Sequence, residues 1–165
     1  MTALHTFRKW MDLILSTVCA VLFALMVVVG SYQIITRFVF NNPSTISEEL
    51  LTYSFAWMAM FSSVYVFGKR DHMKMGFLAD MLPAGSKRIL DIAIEILIVL
   101  FAAAVLIYGG VTIMNLTMTQ KTASLGVSMG MIYMVMPISG ILIAVYGILN
   151  IADMCTASYV PKTEG

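Results

Sequence analysis

The sequence predicts an all-α membrane protein of four transmembrane helices with short interfacial amphipathic helices, and three observations carry that reading. First, four stretches hold no formally charged residue: Leu13 to Thr36, Leu50 to Gly68, Ile96 to Gln120 and Thr122 to Ala152. Each is long enough, at roughly 1.5 Å per helical residue, to cross a hydrocarbon core of about 30 Å. Second, the 165 residues are 60% hydrophobic and 12% charged, with mean hydropathy +0.91. Soluble domains average about 45–50% apolar and about 25% charged. Third, the connections between the stretches are too short to fold separately. The chain is therefore one membrane domain, with spans expected near 12–36, 48–68, 88–118 and 127–152.

At the amino terminus Leu4, Phe7 and Met11 recur at helical spacing, with Arg8, Lys9 and Trp10 between them. That pattern predicts a short helix over 3–11 lying at the headgroups before the chain turns inward, with Trp10 as its anchor. The apolar run that follows exceeds the roughly 7–15 residues of a secretory signal and passes Tyr32 without a small-residue cleavage site, so it is expected to be retained as a span. Ser16, Ala20 and Ala24 form a small-residue stripe at intervals of four, which allows another helix to approach closely.

Asn41, Asn42 and Pro43 predict a break after the first span, because proline lacks a backbone donor and restricts its predecessor. Ser44, Thr45 or Ser47 can cap the second helix, whose first turn then holds Glu48 and Glu49, where the helix dipole favours negative charge. After the second span, Phe77, Leu78, Met81 and Leu82 share one helical face and predict an interfacial segment over 74–82, ended by Pro83 and Gly85. The third helix starts near Ser86 and is longer than a perpendicular crossing needs, which implies tilt or a protruding end. Thr122 to Gly126 reads as a turn, and Pro137 should kink the fourth span unless a neighbouring helix supplies the missing backbone partner.

Lysine and arginine set the orientation, because positively charged short loops resist translocation. Arg8 and Lys9 precede the first span, and Lys69, Arg70, Lys74, Lys87 and Arg88 follow the second, together with His72. The opposite side holds only Arg37 and Lys121, so both termini are expected in the cytoplasm. Arg8, Lys9, Lys69, Arg70, His72, Lys74, Lys87 and Arg88 then mark the inner surface, where basic side chains signal topology or meet anionic phospholipid headgroups.

A formal net charge of +1 gives no reason to expect a nucleic-acid partner. Cys19 and Cys155 show no metal-ligand spacing. The methionines at 129, 131, 134 and 136 alternate, and no cysteine or histidine joins them, so they read as adaptable packing rather than soft-metal ligands. No paired catalytic carboxylates, activated nucleophile or phosphate loop is visible, so neither enzyme activity nor a cofactor is expected. One residue invites a functional reading: Glu95, well inside the third helix with Asp91 a turn before it. An acid there is costly and serves either a proton or cation relay or a polar contact, including one to another subunit. A relay would want further acids or histidines deep in the other spans, and the sequence has none.

Residues 37 to 73 sharpen this picture. They run Arg37-Phe-Val-Phe-Asn-Asn, then Ser47-Glu48-Glu49-Leu50, then Tyr53, Phe55 and Trp57, then Lys69-Arg70-Asp71-His72-Met73. This order resembles the small membrane subunit of the tripartite ATP-independent periplasmic (TRAP) transporters, the DctQ/SiaQ family. Ile46, Thr52 and the Ser62-Ser63 pair depart from the family pattern. The four-span plan and the length agree across the whole chain. The resemblance implies a three-part permease in the bacterial inner membrane: a periplasmic solute-binding protein, a large membrane subunit that moves the solute, and this small subunit, which enlarges and anchors the stationary scaffold. Uptake would be driven by sodium, with an organic acid as solute, sialic acid before C4-dicarboxylates. On that view the chain binds neither solute nor sodium, and Arg37, Glu48, Glu49, Trp57, Glu95, Ala20 and Ala24 are the candidates for contact with partners. The rival reading is a homodimeric small proton-coupled exporter with Glu95 as its coupling site.

Overall fold

The computed structural model describes residues 2–69 and 84–155. Four helices are long and apolar enough to cross a membrane: Thr6–Phe38, Thr45–Lys69, Ile89–Thr117 and Met129–Ala152. Helix α1 (Thr2–Phe38) is continuous, so the break expected near residue 11 is absent. The residues of the first turns favour helix as strongly as the span does, and nothing between Phe7 and Leu13 interrupts the backbone ladder. At its far end the N–H of Val39 still reaches Ile35 O at 2.8 Å and that of Asn42 reaches Thr36 O at 3.0 Å. Asn41 takes the left-handed conformation (φ 49°) that commonly closes a helix, and Pro43 prevents its continuation.

Of the three capping candidates, Ser44 serves α2 (Thr45–Lys69): its Oγ accepts from Ser47 N at 3.4 Å and from Ser47 Oγ at 3.0 Å. The third span begins with α3 (Ala84–Phe101), passes through a π-helical stretch (Ala102–Gly109) and ends as α4 (Gly110–Thr117). The π-helical stretch was not foreseen, since an apolar run with no helix breaker carries no sign of it. The segment expected to lie at the interface over 74–82 falls outside the described residues.

The connection to the fourth span is a small ordered turn. Lys121 and Ser128 form an isolated antiparallel bridge, Thr122 N donates to Val127 O at 2.8 Å, and Val127 N donates back to Thr122 Oγ1 at 3.1 Å. Gly126 occupies φ 67°, a conformation that strains any side-chain-bearing residue. The fourth span is divided at Met134 into α5 (Met129–Tyr133) and α6 (Val135–Cys155). Pro137 therefore sits in the first turn of α6, where its missing N–H breaks little of the ladder.

The spans pack as a row in the order first, second, fourth, third. Within the described residues, 39% of the fourth span's most apolar window is buried but only 6% of the first's, so the fourth is the spine and the first an edge. Leu15, Val64, Ala102, Ile143 and Tyr146 form the buried apolar cluster, which draws on all four spans. Close approach depends on glycine: a Cβ on Gly68 would lie 2.8 Å from the Tyr146 ring, and one on Gly140 would lie 2.7 Å from Leu106 Cβ, in the π-helical stretch.

Candidate functional site

Among the described residues, two clusters of polar contacts tie the spans together, one towards each end of the helices. Where α1 begins and α6 ends, Glu95 is buried, 5% exposed, and its Oε1 accepts a hydrogen bond from Asn150 Nδ2. Asn150 is 1% exposed, and its Oδ1 accepts from Arg8 Nη2 at 2.6 Å. One turn along both helices, Tyr146 OH donates to Asp12 Oδ1, also at 2.6 Å. A guanidinium, a carboxamide and a carboxyl group thus form one hydrogen-bonded chain, and the bond from the guanidinium is charge-assisted, a class stronger than neutral hydrogen bonds.

Four of these five residues were not among the expected contacts, or were expected elsewhere. Arg8 was expected at the headgroups; it is half-buried and turned towards Asn150, while Lys9 and Trp10 beside it are exposed. Asp12, Tyr146 and Asn150 had no assigned role. A polar amide at position 150, inside an otherwise apolar run, was the available signal.

At the opposite end the Glu49 carboxylate spans two backbone donors: Oε1 accepts from Ser124 N and Oε2 from Leu125 N, each at 3.0 Å. The second helix thereby holds the 118–128 turn in place. A turn of helix further on, Tyr53 OH lies 3.9 Å from Met129 Sδ. Trp57 Nε1 then donates to Ile132 O at 3.1 Å, beside the interruption at Met134, with its ring edge-on to Phe61. These three residues make α2 the support for the broken start of the fourth span.

The other expected contact residues are open. Ala20 and Ala24 are exposed, whereas the seam between α1 and α2 runs through Cys19, whose Sγ is 3.6 Å from Ser62 Oγ, and past Gly30, beside Leu51. Arg37 and Glu48 are exposed near the junction of α1 and α2, with the Arg37 guanidinium 5.9 Å from the Phe38 ring centre. Lys69 is exposed, its Nζ 4.3 Å over the Tyr65 ring. Lys87 and Arg88 lie in the first turns of α3. Arg70, His72 and Lys74 lie outside the described residues. Large apolar side chains, among them Val28, Leu97, Phe101 and Tyr108, stand on the surface of the spans. Among the described residues no group of three His, Cys, Asp or Glu side chains could hold a metal ion.

The chain is thus a multi-pass membrane protein in which Glu95, Asn150, Arg8 and Glu49 are hydrogen-bonded within the chain while broad apolar faces of the described spans stay uncovered, the makeup of a component that lies against lipid and other membrane proteins. Comparison with known proteins gives the component its family. Residues 26–157 match the family described as tripartite ATP-independent periplasmic transporters, DctQ component, and the chain belongs to that family. Its relatives include a Haemophilus influenzae protein provisionally named TRAP transporter small permease protein, 26% identical over 130 residues that make up 79% of this chain and 80% of that one. The sialic acid TRAP transporter small permease protein SiaQ of Vibrio cholerae is 28% identical over 106 residues, 64% of this chain and 61% of SiaQ. The chain is accordingly a small permease subunit, a transport component and not an enzyme.

Proposed function

We propose that this subunit enlarges and anchors the stationary part of a sodium-coupled TRAP transporter that takes up an organic acid across the bacterial inner membrane. Its partners in that assembly are the large TRAP membrane subunit and a periplasmic solute-binding protein. The observation that carries the reading is the contrast within the chain: Glu95, Asn150, Arg8, Glu49 and Trp57 are engaged with this chain's own groups, while the lipid-depth faces of the first and third spans are open. A subunit of that kind offers surface to a partner and no polar site to a solute.

Both termini lie in the cytoplasm on this reading, by the distribution of lysine and arginine. The Arg37–Glu48 region and the 118–128 turn then face the periplasm, where the binding protein docks. Lys9, Lys69 and the basic residues that follow the second span meet phospholipid headgroups on the inner side. Sialic acid is the favoured solute, supported by the likeness to SiaQ, with C4-dicarboxylates next. The exporter reading gives way to family membership, and Glu95 is already committed to Asn150.

The test is uptake of labelled sialic acid and of a labelled C4-dicarboxylate in cells that carry the assembly with and without this chain, in sodium and in choline medium. Sialic acid uptake that needs both the chain and sodium supports the proposal. Uptake that persists without the chain, or without sodium, contradicts it.

A further inference from the structure

Within the row, α1 packs along α2, and among the described residues two hydrogen-bonded rungs link it to the fourth span where α1 begins and α6 ends. The rungs share one register. Arg8 pairs with Asn150, and Asp12, four residues on, pairs with Tyr146, four residues back, as antiparallel helices require. Leu15 and Ile143, a further three residues along each helix, are both buried in the apolar cluster that also contains Tyr146. Asn150 does more than complete a rung. Its oxygen accepts from the first span while its nitrogen donates to Glu95 on the third, so one amide joins three spans.

We infer that Asn150 is the centre of a latch that fixes the first span, in axial register, to the third and fourth spans. The amide is suited to this because it presents a donor and an acceptor on one rigid plane, the acceptor for the Arg8 guanidinium and the donor for the Glu95 carboxyl oxygen. Leucine would take this partner from the half-buried Arg8 and from the buried Glu95. Aspartate would keep an acceptor for Arg8 and lose the donor to Glu95, placing two acids together. Glutamine at position 95 would keep the latch, since an amide oxygen still accepts from Asn150 Nδ2. Tyr146→Phe removes only the Asp12 rung. Arg8 and Asp12 precede the segment that matches the family, and the inference concerns contacts inside this chain, independent of any partner.

Spin labels at Leu13→Cys and Ile148→Cys, both exposed and close to the latch, read the distance between the first and fourth spans by double electron–electron resonance. The host is the full chain carrying Cys19→Ser and Cys155→Ser, in lipid nanodiscs. The latch requires one narrow distance distribution in this host and in Glu95→Gln, a partly broadened one in Tyr146→Phe, and loss of the narrow peak in Asn150→Leu. If Asn150→Leu does not insert, Asn150→Asp must show the same loss. A distribution unchanged by Asn150→Leu or by Asn150→Asp, or a peak lost in Glu95→Gln, overturns the inference.

Discussion

The indole N–H of Trp57 donates to the carbonyl oxygen of Ile132 across 3.1 Å, from the second span to the fourth, just before the fourth span is interrupted at Met134. Pro137 has no N–H to offer Tyr133 O, so the backbone around the interruption has fewer internal bonds than a regular helix. Trp57 supplies a donor to that region from outside. Trp57→Phe keeps an aromatic ring and removes the donor, and should cost about 0.5–1.5 kcal/mol, the net worth of an ordinary hydrogen bond, this one being part-buried. Thermal unfolding of the purified protein measures this, and a variant as stable as the parent would remove the indole from the account.

Glu49 acts on the same end of the row. Its two hydrogen bonds to Ser124 and Leu125 N–H are charge-assisted, a class worth about 1.5–3 kcal/mol. Glu49→Ala should speed amide exchange at Ser124 and Leu125 by ten-fold or more, while Glu49→Gln, which keeps one acceptor, should fall between. Hydrogen–deuterium exchange reads this peptide by peptide. Equal protection in all three proteins would show that the turn holds itself.

Gly140 faces the π-helical stretch so closely that an added Cβ would lie 2.7 Å from Leu106 Cβ, an atom fixed to the backbone, and 3.1 Å from Ile107 N. Neither neighbour can rotate away. Gly140→Ala should therefore part the third and fourth spans and destabilise the fold by about 1–3 kcal/mol, the usual cost of overpacking. Gly109→Ala is the control, because a Cβ there meets nothing closer than 3.9 Å. A melting temperature unchanged by Gly140→Ala would contradict the close approach.

Ala20 is exposed, next in sequence to Cys19 of the α1–α2 seam but not covered by it. Ala20→Leu should leave the melting temperature of this chain unaltered and weaken its co-purification with the large subunit, if that face is where the partner lies. Pull-down at matched expression checks it. Full recovery of the partner would move the contact to another face.

The spans were legible because hydropathy reports which residues leave water, and the four uncharged runs left little choice of element. The break at Asn41–Pro43 was legible for local reasons, and the cap was narrowed to Ser44, Thr45 or Ser47, since both depend on residues within a few positions of each other. The order of the row was not legible, because apolar side chains at a given helical spacing say that a face is buried without saying against which helix. Ser16, Ala20 and Ala24 illustrate this: their spacing suits close packing, yet within this chain close approach falls at Gly68, Gly140 and Gly147 instead. Glu95 was singled out by its cost in a membrane, but its partner Asn150 lies 55 positions away and Arg8 lies 142 positions from Asn150, separations that no local pattern encodes.

The central claim is that this chain is built into a larger assembly as a stationary part. The measurement that tests it most directly is the intact mass of the tagged chain, purified in mild detergent after co-expression with a large TRAP subunit and a solute-binding protein. A stable pair of one small and one large membrane subunit is the predicted result. A homodimer that excludes the large subunit would contradict the claim and return attention to Glu95.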